Sequence, residues 1–164
     1  VLTGLANRQQ LRNYFEKCRS RTERGEMLAI FCMDIDHFKP INDSLGHATG
    51  DQLLVAVANR LREITRGYDM VARTGGDEFV ILASRLGPDE ATAREEAVRI
   101  AGKLRQAIAR RFEIDGRAVT VGLSVGIRIL GAEEVGADAA IRDADQAMYR
   151  AKQVGRNNYR FYSR

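Results

Sequence analysis

Apolar residues recur along this chain with more than one period. Between Gln10 and Arg24, Leu11, Tyr14, Phe15 and Cys18 fall at helical spacing, whereas Met27 to Met33 is short and continuously apolar, as in a strand covered on both faces. A polar run from Asp34 to Gly50 follows, and then Leu53, Leu54, Val57, Ala58, Leu61 and Ile64 share one helical face. The short apolar runs Met70–Ala72 and Phe79–Leu82 flank Gly75-Gly76, a hairpin signal in which such glycines take positive φ. A helix is expected from about Pro88 to Arg111, because Pro suits a first turn and Ala97, Ile100, Ala101, Leu104 and Ile108 form a stripe. The clearest strand is Val119 to Ile129, where Val119, Val121, Leu123, Val125, Ile127 and Ile129 alternate with smaller or polar residues. Asp115-Gly116 predicts a hairpin joining it to Phe112–Ile114. A last helix over Ala137 to Val154 stops at Gly155, and a final strand covers Asn158 to Tyr162. Such a mixture implies an antiparallel or mixed sheet covered by helices.

Composition narrows the class. A length of 164 residues fits one compact unit, and 45% hydrophobic with 29% charged residues excludes a disordered chain. No apolar run approaches the roughly 20 residues of a membrane-spanning helix, and no secretory leader is evident. The expected setting is cytoplasmic, with no membrane contact by this segment. Cys18 and Cys32 lie in apolar patterns without metal-site spacing, so both read as small buried hydrophobes. The net charge of +4 permits polyanion binding, but the basic residues are interleaved with acids and form no stripe, which argues against nucleic acid.

The candidate chemistry lies at element ends. Asp34 and Asp36 follow the buried strand, where they either cap the next turn or supply the oxygen ligands that hard divalent cations prefer. Asp77 and Glu78 follow Gly75-Gly76, in a turn expected to hold them in solvent at the same sheet end as Asp34. The glycines serve the turn, the close approach of a phosphate, or both. Lys39 to Asp43 suggests a short helix whose first N–H groups face phosphates. Lys152 and Arg156 flank the end of the last helix, where cations favour the macrodipole whether or not they bind a ligand. Arg66 and Asp69 form an Arg-x-x-Asp pair that reads equally as a helix-end cap and as a guanidinium fork for phosphate or guanine.

Together these residues carry a resemblance. Arg73-Thr74-Gly75-Gly76-Asp77-Glu78-Phe79 resembles the signature of the GGDEF domains, the diguanylate cyclase family. Leu2-Thr3-Gly4-Leu5-Ala6-Asn7-Arg8 is similar to the family's opening motif, and Asp34-Ile35-Asp36-His37-Phe38-Lys39 through Asn42-Asp43 to its strand-end motif. Gly46-His47, Gly50-Asp51, Ser124-Val125-Gly126-Ile127, and Ala144-Asp145 through Tyr149, Lys152, Gly155, Arg156 and Asn157 complete the likeness over nearly the whole chain. The Asp that commonly precedes the opening motif is absent, as expected of a fragment, and His37 occupies a variable position. The closing run from Asp145 is similar to GGDEF domains that continue into an EAL phosphodiesterase domain.

The resemblance implies an α+β, ferredoxin-like palm, with a central, mostly antiparallel sheet flanked by helices as in class III nucleotidyl cyclases. It implies one GGDEF domain over residues 1–164, cut from a larger signalling protein. By matching positions, Asp34, the carbonyl of Ile35, and Glu78 would hold two magnesium or manganese ions per GTP, with Asp77 as ligand or proton acceptor. Asn42 and Asp51 would read guanine. Phe38, Lys39, Lys152 and Arg156 would hold the phosphates, with Gly75 and Gly76 close by. His47 would be structural. Arg66 and Asp69 would bind the product cyclic di-GMP as a feedback inhibitor. Paired copies, each with one GTP, would be needed for turnover. The alternative is a silent module that binds GTP or cyclic di-GMP and regulates a neighbouring domain.

Overall fold

The computed structural model describes residues 2–132 and 135–163. In chain order the elements are α1 (Arg8–Glu23), β1 (Leu28–Ile35), α2 (Phe38–Leu45), α3 (His47–Ile64), β2 (Met70–Arg73), β3 (Glu78–Ala83), α4 (Glu90–Ala109), β4 (Phe112–Ile114), β5 (Arg117–Val119), β6 (Leu123–Leu130), α5 (Ala137–Gln153) and β7 (Tyr159–Phe161). The main sheet runs β2-β3-β1-β6-β7. Its pairs are antiparallel except β6 with β7, which is parallel.

β1 is the central strand, and its continuous apolar run follows from having both faces covered. Ala29, Phe31, Met33 and Ile35 pack with the apolar stripes of α3 and α4. Leu28, Ile30 and Cys32 pack with Leu11, Phe15 and Cys18 of α1 and with the alanine-rich face of α5. Both cysteines are free and buried, and burial raises both thiols above their ordinary pKa. The sequence therefore folds into the expected α+β palm, a mixed sheet between two helical layers.

Several boundaries differ from those the pattern predicts. The alternating run splits: Arg117–Val119 pairs with β4 in a separate hairpin, residues 120–122 leave the sheet, and only Leu123–Leu130 joins β1. Asp115 and Gly116 make that small turn with φ of 52° and 76°, as the Asp-Gly pair predicts. On β6 the small or polar positions are covered by α5. A Cβ at Gly126 would lie 1.9 Å from the Ala144 carbonyl oxygen and 2.2 Å from the Met148 nitrogen, so glycine there lets helix and sheet backbones touch. Arg128 is accommodated by Asp143, whose carboxylate accepts from its Nε at 3.1 Å. Pro88 precedes α4 rather than opening it, because the Asp89 side chain accepts from the Thr92 N–H at 2.8 Å and sets the first turn at Glu90.

Candidate functional site

The strand register brings the acid clusters together. Asp34, the penultimate residue of β1, lies directly opposite Glu78, the first residue of β3. The expectation that Glu78 stands in solvent is corrected: strand pairing draws it into a half-buried position. Burial raises its carboxyl pKa, the Thr74 hydroxyl at 2.9 Å from Oε1 opposes that rise, and the charges of Asp145 and Asp34 add to it. Burial raises Asp34 as well, against the opposing hydrogen bond of Lys152, whose ammonium meets Oδ2. The other oxygen, Oδ1, is buried without a hydrogen-bond partner among the described residues.

The turn between β2 and β3 also departs from expectation. Gly75 and Gly76 are not among the residues with positive φ, because four residues, Thr74 to Asp77, lie between Arg73 and Glu78 and no two-residue mirror turn is required. Instead, Nε and Nη2 of Arg73 donate to the Gly76 carbonyl at 3.0 and 2.9 Å, and the Thr74 N–H reaches the Glu78 carbonyl at 3.2 Å. A Cβ at Gly76 would meet nothing within 4 Å, so glycine leaves open space beside Asp77 rather than relieving backbone strain.

From the end of β1 the chain turns through His37, at φ 59°, into α2. No side chain caps α2, so the N–H groups of Phe38 and Lys39 remain as donors at its first turn, and Pro40 brings none. Asn42 sits on α2 with its Nδ2 2.9 Å from Nδ1 of His47, and its Oδ1 occupies space that a side chain at residue 50 would fill. Asp51 follows on α3, exposed. Among the described residues, no hydrogen bond or ion pair engages the side chains of Lys39, Asp51, Asp77 or Arg156. They are free to meet a ligand.

Arg66 and Asp69 lie elsewhere. Nε and Nη2 of Arg66 each donate to the Asp69 carboxylate at 2.9 Å, and Nη2 also reaches the Ser84 carbonyl at 3.1 Å. Ser84 follows β3 at the end opposite Glu78, so the pair stands about one strand length, roughly 17 Å, from the acids. α3 ends at Ile64, before Arg66, and the Asp69 N–H bonds the Arg66 carbonyl, so the pair closes the turn into β2.

The donor set suits a hard cation that keeps other ligands. Among the described residues, no group of three His, Cys, Asp or Glu side chains is arranged to hold a metal by itself. Magnesium commonly takes one or two carboxylates and completes its shell with water and phosphate oxygens. Asp34, with one unpartnered oxygen, and Glu78 across the strand pair meet that demand. Sequence reasoning gave no role of their own to Arg73 and Thr74, which hold the turn, and left His47 without a partner. Their signal was that all lie within or beside the motifs.

The chain is similar to proteins of one family. Residues 1–158 match the family model described as "Diguanylate cyclase, GGDEF domain". The chain is 41% identical over 158 residues to the diguanylate cyclase DgcP of Pseudomonas aeruginosa, covering 95% of this chain and 22% of that protein. It is 40% identical over 167 residues to the cyclic di-GMP phosphodiesterase NbdA of the same species, covering 99% and 20%. The chain thus spans about a fifth of the length of these curated relatives. The crystal structure of the GGDEF domain of YfiN or TpbB from P. aeruginosa superposes with a TM-score of 0.90 at 35% identity, covering 99% of both chains. The GGDEF domain of DgcB from Caulobacter crescentus, solved with c-di-GMP, gives 0.86 at 27% identity over 100% of this chain and 92% of that one.

Proposed function

The chain belongs to the GGDEF family of diguanylate cyclase domains, and on that premise we propose that it joins two GTP molecules into cyclic di-GMP, releasing two pyrophosphates. The observation that carries this reading is the Asp34–Glu78 pair across β1 and β3, beside the free first turn of α2 and the cations of α5. The N–H groups of Phe38 and Lys39, with the side chains of Lys39, Lys152 and Arg156, hold the triphosphate, and Gly75 and Gly76 leave it room. The Asp51 carboxylate accepts from guanine N–H groups, and the Asn42 amide meets the same base edge. Asp34, the Ile35 carbonyl and Glu78 would hold magnesium or manganese, two ions per GTP, and the ions would supply positive charge for the attacking and leaving oxygens.

The 3′-oxygen of one nucleotide bonds to the α-phosphorus of the other, and the bond from that phosphorus to the bridging oxygen breaks, so pyrophosphate leaves. Asp77 takes the hydroxyl proton directly or through water. A second transfer closes the ring. One domain holds one GTP, so two copies must face each other. Arg66 and Asp69 bind the product as an inhibitor, a reading supported by the product complex of the DgcB relative. The alternative, a silent nucleotide-binding module beside another domain, draws support from the relative named as a phosphodiesterase. Turnover of GTP by the purified chain at high concentration with magnesium separates the two. The expected result is cyclic di-GMP from the wild type and none from Glu78→Ala with the fold retained. A wild type without product overturns the cyclase reading, and a fully active Glu78→Ala overturns the metal-binding role of Glu78.

A further inference from the structure

Asp34 and Asp36 leave the same strand end, yet their surroundings differ. Whereas Asp34 keeps a buried oxygen without a partner, both oxygens of Asp36 are engaged: Oδ1 accepts from the Ser124 hydroxyl at 2.6 Å, and Oδ2 from the Asn157 N–H at 2.8 Å. Asp36 is 5% exposed, and its own N–H donates to the Gly122 carbonyl at 3.0 Å. No ion pair neutralises its carboxylate among the described residues, so these neutral donors carry the cost of burying it.

What Asp36 grips is a strained segment. Gly155, Arg156 and Asn157 follow one another at φ of 112°, 62° and 45°, and residues other than glycine pay about 1–2 kcal/mol for that region. Such a run persists only where its surroundings fix it. The Asn157 carbonyl accepts from Arg105 at 2.5 Å, and the Arg156 N–H reaches the Ala151 carbonyl at 3.1 Å. Packing is close as well, since a Cβ at Gly122 would lie 2.8 Å from Asp36 Oδ2 and 3.1 Å from the Asn157 Cβ. Arg156 is thus an exposed, unengaged guanidinium on a backbone clamped at the next residue.

We propose that Asp36 is a positioning residue for substrate phosphates: by holding the Asn157 N–H it fixes the Gly155–Asn157 turn, and so the place from which Arg156 meets the triphosphate. This rests on the phosphate role given to Arg156 above. Both Asp36 oxygens already accept from neutral donors of the fold, whereas Asp34 keeps one oxygen without a partner among the described residues. Geometry rather than charge is what it supplies. Asn at this position keeps an acceptor for the Asn157 N–H, and its amide donates to the Ser124 oxygen, since a hydroxyl can turn and a backbone N–H cannot.

The test measures affinity for an α,β-methylene GTP analogue with magnesium in the wild-type chain, Arg156→Ala, Asp36→Ala, Asp36→Asn and the Asp36→Ala/Arg156→Ala double variant. Arg156→Ala should bind about ten- to a hundredfold more weakly, the worth of one charge-assisted bond. Asp36→Ala should lose a similar factor, the double variant no more than Arg156→Ala alone, and Asp36→Asn should stay within about threefold of the wild type. A purely stabilising Asp36 would lower the melting temperature and leave a loss independent of Arg156. Unchanged binding by Arg156→Ala overturns the phosphate role itself. A full loss in Arg156→Ala with wild-type binding in Asp36→Ala, or with multiplied losses in the double variant, overturns only the positioning role. Should Asp36→Ala fail to fold, amide exchange decides: a slow Asn157 amide in wild type and Asp36→Asn is expected, and a fast one overturns the clamp.

Discussion

Gly50→Ala separates guanine recognition from stability. A Cβ built on Gly50 would lie 1.9 Å from Asn42 Oδ1 and 2.9 Å from its Cγ, with the Asn42 Cβ at 3.4 Å. Carbon and oxygen rest at roughly 3.3 Å, so the amide must retreat by about 1.4 Å. That motion is easy for the far end of a surface side chain, but it breaks the 2.9 Å contact with His47 and removes Asn42 from the guanine edge it is proposed to read. Leaving a base donor without its acceptor costs about 1–3 kcal/mol, or roughly 5- to 150-fold in GTP affinity. Gly50 lies inside α3 without a positive φ, so Ala at this position gains about 0.5–1 kcal/mol of helix stability. Calorimetry with non-hydrolysable GTP and ATP analogues, beside a thermal melt, should show GTP binding reduced, ATP binding little changed and a melting temperature no lower than wild type. GTP binding within twofold of wild type refutes the placement of Asn42. An equal fall for both nucleotides shows that the change acts on the fold and not on the base.

Other substitutions probe the remaining groups. Asp51→Ala should weaken GTP far more than ATP, because a carboxylate that accepts from guanine N–H groups finds none on adenine, and equal losses in a binding titration remove that role. Glu78→Gln removes a carboxylate whose folded pKa is raised, while keeping an acceptor for Thr74. Ionising a group with a raised pKa subtracts stability as pH climbs past its unfolded value, so the variant should melt above wild type at pH 7, with the gap closing below about pH 4. A gap that widens on acidification contradicts the sign. Arg66→Ala should lose both product binding and product inhibition. It should also melt lower, because the Asp69 side chain, 5% exposed, keeps only the residue 66 N–H, a loss worth about 1–3 kcal/mol. Unchanged product binding leaves Arg66 as a turn-closing residue alone.

Much of this architecture is legible in the pattern of the chain, and its misreadings have physical causes. The continuous run of β1 announces two covered faces, and both are covered. The alternation of 119–129 misleads because a departure from the sheet at 120–122 preserves the period while changing the partner. Gly75-Gly76 looks like a two-residue turn because a sequence does not state how many residues a loop contains. The Asp34–Glu78 pairing requires a register across 44 positions of chain, which periodicity does not encode and the motif likeness anticipated. Asp36 was visible only as a second acid. Its distinct role depends on donors from Ser124 and Asn157, which lie 88 and 121 residues away.

The separation of the Arg66–Asp69 turn from the acids constrains how product would inhibit. β3 joins the two regions; its residues from Phe79 to Ala83 are buried, and Phe79 to Leu82 are paired on both sides. A close-packed strand of this kind has no room to slide or bend in response to a surface ligand. Arg66 is already committed to Asp69 and to the Ser84 carbonyl, so a ligand meets an ordered fork rather than creating one. Product bound there therefore has little leverage on the position of Asp34 or Glu78 within one domain. On the proposed mechanism its effect falls on the approach of two domains, each bearing one GTP. On that basis, saturating cyclic di-GMP should stop turnover while leaving affinity for a single non-hydrolysable GTP within about twofold of its value without product, as expected for sites with no coupling free energy. A large loss of GTP affinity in the product-bound chain would instead mean that β3 or its neighbours transmit a change through the core.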